Sequence, residues 1–263
     1  MTALVQRTDK GPVAWLTLNR PDAMNALSTP LIDEIDAHVT AIEADPQVRV
    51  VVVTATGRAF CAGADLKEVL GPDGSVSPTR LLAFEKRAAS VMARLASLPQ
   101  PVIAAVNGTT MAGGLELALH CDLVVAAAEA KIGDGHTNYG LLPGAGGASR
   151  LPRVIGPTRA KYLAFTGAML SAEEAQAMGL VNEVVPAAEL VSRAEELSAA
   201  IAQRSPSALR LFKQAIDDGL DQPLESALRL ERLVTAEHLH SGDVQEGLAA
   251  FTQKRTPRFG TNG

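Results

Sequence analysis

The apolar positions of the chain fall into two rhythms. Residues 13–18 (VAWLTL) make a β-prone run, closed by turn chemistry at Asn19, Arg20, Pro21 and Asp22. A helix is predicted next, because Leu31, Ile32, Ile35, Val39 and Ile42 recur with a 3.6-residue period. Ser28 or Thr29 can cap it and Pro30 suits its first turn. Asp33 and Glu34 favour the positive end of its dipole, and Pro46 stops it. Residues 48–54 (VRVVVVT) are β-branched and nearly continuous, as a strand buried on both faces requires. Residues 102–106 and 123–127 repeat that character. Strands separated by helical patterns imply crossover connections and a mostly parallel sheet, an α/β fold.

After about residue 156 the β signals fade. Segments 158–166, 172–178, 187–203, 206–219, 223–239 and 243–254 all read as helices. The pattern divides the chain into an α/β core, residues 1–195, and a C-terminal helical region, residues 196–263, expected to form an oligomer-building surface. Residues 71–79 (GPDGSVSPT) are expected to form a flexible loop.

Composition narrows the function classes. The 263 residues are 47% apolar and carry a net charge of −5, with no basic tract to track a phosphate backbone, so nucleic acid is not an expected partner. No run approaches the roughly 18 apolar residues a membrane helix needs, so no membrane association is expected. The first residues lack the apolar core of a secretion signal. Cys61 and Cys121 cannot build a disulfide framework, and a cytoplasmic location is the expectation.

Two glycine-framed turns carry the candidate chemistry. In residues 59–70 (AFCAGADLKEVL), Gly63 permits a sharp turn, and Asp65 with Glu68 makes a capping-box pattern that opens a helix. The Ala64 N–H then stands at a helix N-terminus with no intrahelical partner. In residues 107–120 (NGTTMAGGLELALH), Gly113 and Gly114 open a second helix after a strand, again with free N–H donors at a positive dipole end. Each turn alone is equally compatible with a plain strand-to-helix connection. Together they follow two buried strands and lie at their carboxyl ends, where open α/β sheets bind ligands. Two such donors aimed at one oxygen form an oxyanion hole.

These segments resemble the crotonase superfamily of enoyl-CoA hydratases and isomerases. The resemblance is carried by Asn19-Arg20-Pro21 with Met24-Asn25-Ala26-Leu27, by residues 59–66, by Val106-Asn107-Gly108 with residues 113–118, by Pro143-Gly144-Ala145-Gly146-Gly147, and by residues 251–255 (FTQKR). It implies a spiral of ββα turns with a C-terminal helical region, assembled as a homotrimer or a dimer of trimers. It implies an acyl-CoA thioester as substrate, with no permanently bound cofactor and no metal. Its carbonyl oxygen would lie between the Ala64 and Gly113 N–H groups, and the adenine near the Ala62 backbone. Asp65, Leu66 and Phe251 belong to the same binding set, and Arg20 and a neighbouring subunit's Lys254 are phosphate candidates. Gly144 would offer its N–H to an attacking water.

Glu116 matches a catalytic glutamate of the hydratases, although a glutamate is also favoured there by the helix dipole alone. The second glutamate of the typical hydratase is replaced. Counting back from Pro143, that position holds His136. A histidine can act as acid or base near neutral pH. Equally, it can merely orient substrate or pack in the loop, and Asp134 can pair with it or reach the site itself. Hydration by Glu116 and His136 is therefore the leading expectation. A Δ3,Δ2-enoyl-CoA isomerase using Glu116 alone, or a catalytically weak acyl-CoA-binding paralogue, are the alternatives. Cys61 reads as a small buried filler, and His238, His240 and Asp243 as a solvated helix end rather than a metal site.

Overall fold

The computed structural model describes residues 3–70 and 74–260. The chain begins with an antiparallel hairpin, β1 (Val5–Lys10) and β2 (Val13–Leu18), followed by α1 (Thr29–Glu43). Three ββα turns then repeat. The first is β3 (Val50–Ala55) and β4 (Ala59–Cys61) with α2 (Leu66–Val69) and α3 (Pro78–Ala96). The second is β5 (Val102–Val106), β6 (Thr109–Met111) and α4 (Gly113–Ala118). The third is β7 (Leu123–Ala127), β8 (Lys131–Gly133) and α5 (Gly147–Ile155). The chain continues through α6 (Pro157–Thr166), β9 (Met169–Ser171), α7 (Ala172–Ala177) and β10 (Glu183–Val185). It ends in α8 (Leu190–Ala202), α9 (Pro206–Leu220), α10 (Leu224–His238) and α11 (Gly242–Gln253).

Each turn gives its first strand to one sheet and its second to another. The larger sheet runs β1-β2-β3-β5-β7-β10 and the smaller β4-β6-β8-β9. The pairs β2–β3, β3–β5, β5–β7 and β7–β10 are parallel, as the crossovers demand. This is the expected ββα spiral with helices gathered at the C-terminal end.

The β-branched run is buried on both faces, as its sequence requires. Val51 and Val53 face the main core with Leu31, Ile35 and Val39 of α1. Val50 and Val52 face the opposite way with Trp15, Ile103 and the α8 residues Leu190 and Ala194. α8 thus closes the back of the large sheet, and it runs through the 195/196 position.

Several local expectations are corrected. β1 has only Val5 fully buried and is polar at its other five positions along a sheet edge, so its sequence carries no strong strand signal. β9 and β10 are three-residue strands that join existing edges after residue 156, where only helices were expected. Ser28 caps α1, but Asp33 and Glu34 lie beyond its first turn; Glu34 instead accepts a 2.8 Å hydrogen bond from the Val5 N–H. Asp65 caps the single-turn α2 through the Lys67 N–H at 3.2 Å. The return half of the expected capping box is not made, because Glu68 reaches the Thr29 N–H. Of the expected 71–79 loop, residues 71–73 lie outside the described residues, and Ser77 caps α3. Among the described residues, no helix is long and apolar enough to cross a membrane.

Candidate active site

The site is built where the carboxyl ends of β4, β6 and β8 meet. The turn after β4 needs glycine for two reasons. Gly63 has φ +96°, and a Cβ there would lie 3.0 Å from the Ala112 Cβ and 3.3 Å from the Gly113 nitrogen. The Ala64 nitrogen in turn lies 3.6 Å from where a Cβ on Gly113 would stand. The two glycine turns are therefore in direct contact. Among the described residues neither the Ala64 N–H nor the Gly113 N–H donates a hydrogen bond, while Leu27 N–H bonds Gly63 O and Asp65 N–H bonds Leu27 O on either side of Ala64.

The backbone that presents Gly113 is strained. Ala112 holds φ +50° and ψ −117°, outside the regions an L-residue prefers. Such a residue costs on the order of 1–3 kcal/mol, and strain of this kind concentrates at functional sites. Its N–H is tied to Gly133 O at 3.2 Å, which joins the turn to β8. Gly114 lets α4 press on β4, since a Cβ there would come within 2.1 Å of Cys61 O.

Glu116 is in the first turn of α4 and only 4% exposed. Its Oε1 accepts hydrogen bonds from the Ala145 and Gly147 N–H groups, each 2.8 Å long. Gly147 opens α5, so two helix N-termini converge on one carboxylate. Oε2 remains for chemistry, 3.8 Å from His136 Nε2. Burial raises the Glu116 pKa above the usual carboxylate value; the Gly147 and Ala145 N–H groups and His136 oppose that rise without cancelling it.

His136 is 9% exposed, and its Nδ1 lies 2.6 Å from Asp134 Oδ1. Burial disfavours its charge, but the Asp134 hydrogen bond and the charges of Asp134, Glu116 and Glu85 outweigh it, and its pKa is raised. The pocket in front of these groups is lined by Leu27, Ala62, Ala64, Leu66, Gly113, Glu116, His136 and Gly144. Its far wall is apolar, with Leu81, Phe84, Met92, Met111, Leu141 and Leu142. Apolar walls around a few convergent polar groups are the usual form of a small-molecule site.

The comparisons with known proteins point the same way. The family model described as enoyl-CoA hydratase/isomerase matches residues 8–262. The chain belongs to the enoyl-CoA hydratase/isomerase family. It is 43% identical over 244 residues to a protein named putative enoyl-CoA hydratase/isomerase YngF of Bacillus subtilis, covering 92% of each chain. It is 38% identical to a protein named probable enoyl-CoA hydratase echA8 of Mycobacterium tuberculosis, over 98% of this chain and 97% of that one. A crystal structure of an enoyl-CoA hydratase from Bacillus anthracis superposes with a TM-score of 0.93 at 40% identity, covering 97% and 98% of the two chains.

The structure of this family member gathers Ala62, Ala64, Leu66, Gly113, Glu116, His136 and Gly144 around one pocket. Arg20 bonds Ala26 O at 2.9 Å and Asp65 Oδ2 at 2.7 Å, and neither Arg20 nor Asp65 lines the pocket. Phe251 (85% exposed) and Lys254 do not line this protomer's pocket. Asn25 is fully buried and holds the 19–27 turn, accepting from Arg20 N–H and donating to Thr56 O and Ala59 O. The Cys61 thiol is pushed up to about 12 by burial, which leaves it unreactive. Asp243 accepts from Ser205 and Ser207.

Glu85 is the site residue that sequence reasoning missed. It comes from α3, and its side chain lies so close to Gly144 that a Cβ there would fall 2.7 Å from the carboxylate carbon. The amphipathic spacing of Phe84, Ala88, Val91, Met92 and Leu95 could have revealed α3. Nothing local could have placed Glu85 beside residue 144.

Proposed function

We propose that the protein hydrates 2-enoyl-CoA thioesters. The thioester oxygen is held by the Ala64 and Gly113 N–H groups. Glu116 takes a proton from water as its oxygen bonds Cβ, and His136 gives a proton to Cα. The observation that supports this is the pairing of a buried carboxylate and a buried imidazole 3.8 Å apart, both lining the pocket that Ala64 and Gly113 also line. One orphan donor of this kind stabilises an oxyanion by about 2.7–4 kcal/mol. Addition of water then needs one group to accept a proton and one to supply it, and the pair offers both.

By the same resemblance, the adenine lies by the Ala62 backbone and Gly144 offers its N–H to the attacking water. Asp65 and Leu66 border the thioester arm, with the Arg20–Asp65 ion pair near the phosphates. Lys254 and Phe251 serve a neighbouring subunit's site in a homotrimer or dimer of trimers, built by the helical region after residue 196. Support for assembly is the row of large exposed apolar side chains on α9, α10 and α11, among them Phe212, Leu220, Leu224, Leu233, Leu248 and Phe251. Two unpaired cysteines suit a reducing cytoplasm.

The test is a mass-spectrometric screen of 2-enoyl-CoA and 3-enoyl-CoA thioesters in water enriched in oxygen-18. Labelled 3-hydroxyacyl-CoA is the expected product. A shifted double bond without label would instead make the enzyme an isomerase. Binding without turnover of any thioester would make it an acyl-CoA-binding paralogue.

A further inference from the structure

We propose that Asp134 is a positioning residue, which holds His136 as an imidazolium with Nδ1–H on the Asp134 carboxylate and Nε2–H turned toward Glu116. The inference rests on the hydratase reading for its consequences in turnover, but not for its geometry.

Three observations support it. Asp134 follows directly on β8, and Gly135, at φ +68°, turns the chain so that residues 134 and 136 meet side chain to side chain. Glycine suits that turn, because its φ is positive and a Cβ there would press on the Met111 side chain at 2.8 Å. Next, Asp134 is 5% exposed, and among the described residues its carboxylate has no hydrogen-bond partner other than His136. A carboxylate so deeply buried is tolerable as an anion only beside a cation or several donors. Finally, the charged groups that act on His136 are all acidic: Asp134 from its own loop, Glu116 from α4 and Glu85 from α3. His136 is the cation among them, and its raised pKa agrees with that geometry.

The chemistry follows from the fixed tautomer. Because Nδ1–H stays with Asp134, the only proton His136 can release into the pocket is the one on Nε2. Water loses a proton to Glu116 Oε2 as its oxygen bonds Cβ. The electron pair of the double bond passes to the thioester oxygen as an enolate. On collapse of that enolate Cα takes the Nε2 proton, leaving neutral imidazole. Transfer of the proton from Glu116 to His136, across a gap of 3.8 Å, restores both groups, and one water has been consumed. An imidazolium thus performs the step for which a second carboxylic acid would otherwise be needed.

The experiment is nitrogen-15 NMR of histidine-labelled protein, with the His136 signals assigned by their loss in His136→Gln. In the unaltered protein at pH 7 both His136 nitrogens are expected to be protonated. In Asp134→Asn the ring should become neutral. kcat for the enoyl-CoA should fall by about a hundredfold, while KM and thioester binding change little. The alkaline limb of the kcat profile should move to lower pH, since the acid form is lost earlier once Asp134 no longer supports it. Asp134→Glu should restore part of the protonation. A neutral His136 in the unaltered protein would overturn the proposal whatever the Asp134 variants do. So would an Asp134→Asn variant with unmoved His136 signals and pH profile. If protonation depends on Asp134 but no thioester is hydrated, the hydratase reading fails and the positioning role stands.

Discussion

Glu116 Oε2 faces His136 Nε2 at 3.8 Å, a separation too long for a hydrogen bond and within ion-pair range. The same glutamate spends its other oxygen on the Ala145 and Gly147 N–H groups. One oxygen is therefore held by the main chain, while the other accepts no hydrogen bond among the described residues. This division explains why the Pro143–Gly147 loop belongs to the site although it need touch no substrate carbon.

Replacing Glu116 by Gln tests that division. Gln can still accept from Ala145 and Gly147, so the fold is retained. Because burial dominates the raised Glu116 pKa, the carboxylate is destabilising at neutral pH, and the neutral amide removes that cost. Glu116→Gln is expected to lower kcat by about 10²–10⁴-fold and to melt at or above the temperature of the unaltered protein. Steady-state kinetics with a thermal melt at pH 7 checks both halves, and a variant that hydrates at full rate would remove Glu116 from the mechanism.

The adjacent glycines should separate binding from folding. A Cβ at Gly113 would lie 3.0 Å from Leu27 Cδ1 and 3.6 Å from the Ala64 nitrogen, so Gly113→Ala crowds the approach to the two amides. A cost of about 3 kcal/mol in transition-state stabilisation is expected, the scale of one lost donor, with little change in melting. A Cβ at Gly114 would lie 2.1 Å from Cys61 O, so Gly114→Ala should force α4 off β4 and lower the melting temperature sharply. Circular dichroism melts beside kcat/KM values distinguish the two.

His120 makes acid stability predictable. Its Nδ1 lies 2.8 Å from Glu116 O, and burial lowers its pKa to about 4, against 6.5 for a free histidine. Below pH 6.5 the unfolded chain binds a proton that the folded chain refuses until about pH 4. Its contribution to stability is thus complete above pH 6.5 and is lost as the pH falls through that window, by on the order of 3 kcal/mol. His120→Gln should flatten the dependence of denaturation midpoint on pH between 7 and 4.5. Equal slopes in both proteins would show that His120 is not the sensor.

Much of the fold is legible in the sequence because the large sheet is buried on both sides. β3 announces itself by a continuous β-branched run and β2, β5 and β7 by short apolar runs, and the five buried positions of α1 follow the 3.6 period. β1, β9 and β10 do not, since an exposed edge strand and three-residue strands carry little apolar signal. The glycine turns and Glu116 are legible as local patterns. The loop that grips Glu116 and the Glu85 approach to Gly144 join separate turns of the spiral, and no window of sequence holds them. The His136–Asp134 pairing is one of the options the sequence offers, and the turn at Gly135 selects it.

Assembly is open to direct measurement. Leu233, Leu248 and Phe251 are 69%, 65% and 85% exposed, and large apolar side chains that adjoin on a surface mark an interaction site. Sedimentation is expected to give a trimer or a multiple of it. Leu233→Asp should shift the population to smaller species. If the unaltered protein sediments as a monomer, Lys254 and Phe251 have no neighbouring pocket to serve.

The proposed chemistry requires one oxygen to be shared by the main-chain amides of residues 64 and 113. The most direct measurement is a crystal structure with a non-hydrolysable acyl-CoA analogue. The thioester-equivalent oxygen is expected within about 2.7–3.1 Å of both main-chain nitrogens, with Cβ beside Glu116 Oε2 and Cα beside His136 Nε2. An acyl group bound with its carbonyl directed away from either amide would contradict a shared oxyanion hole.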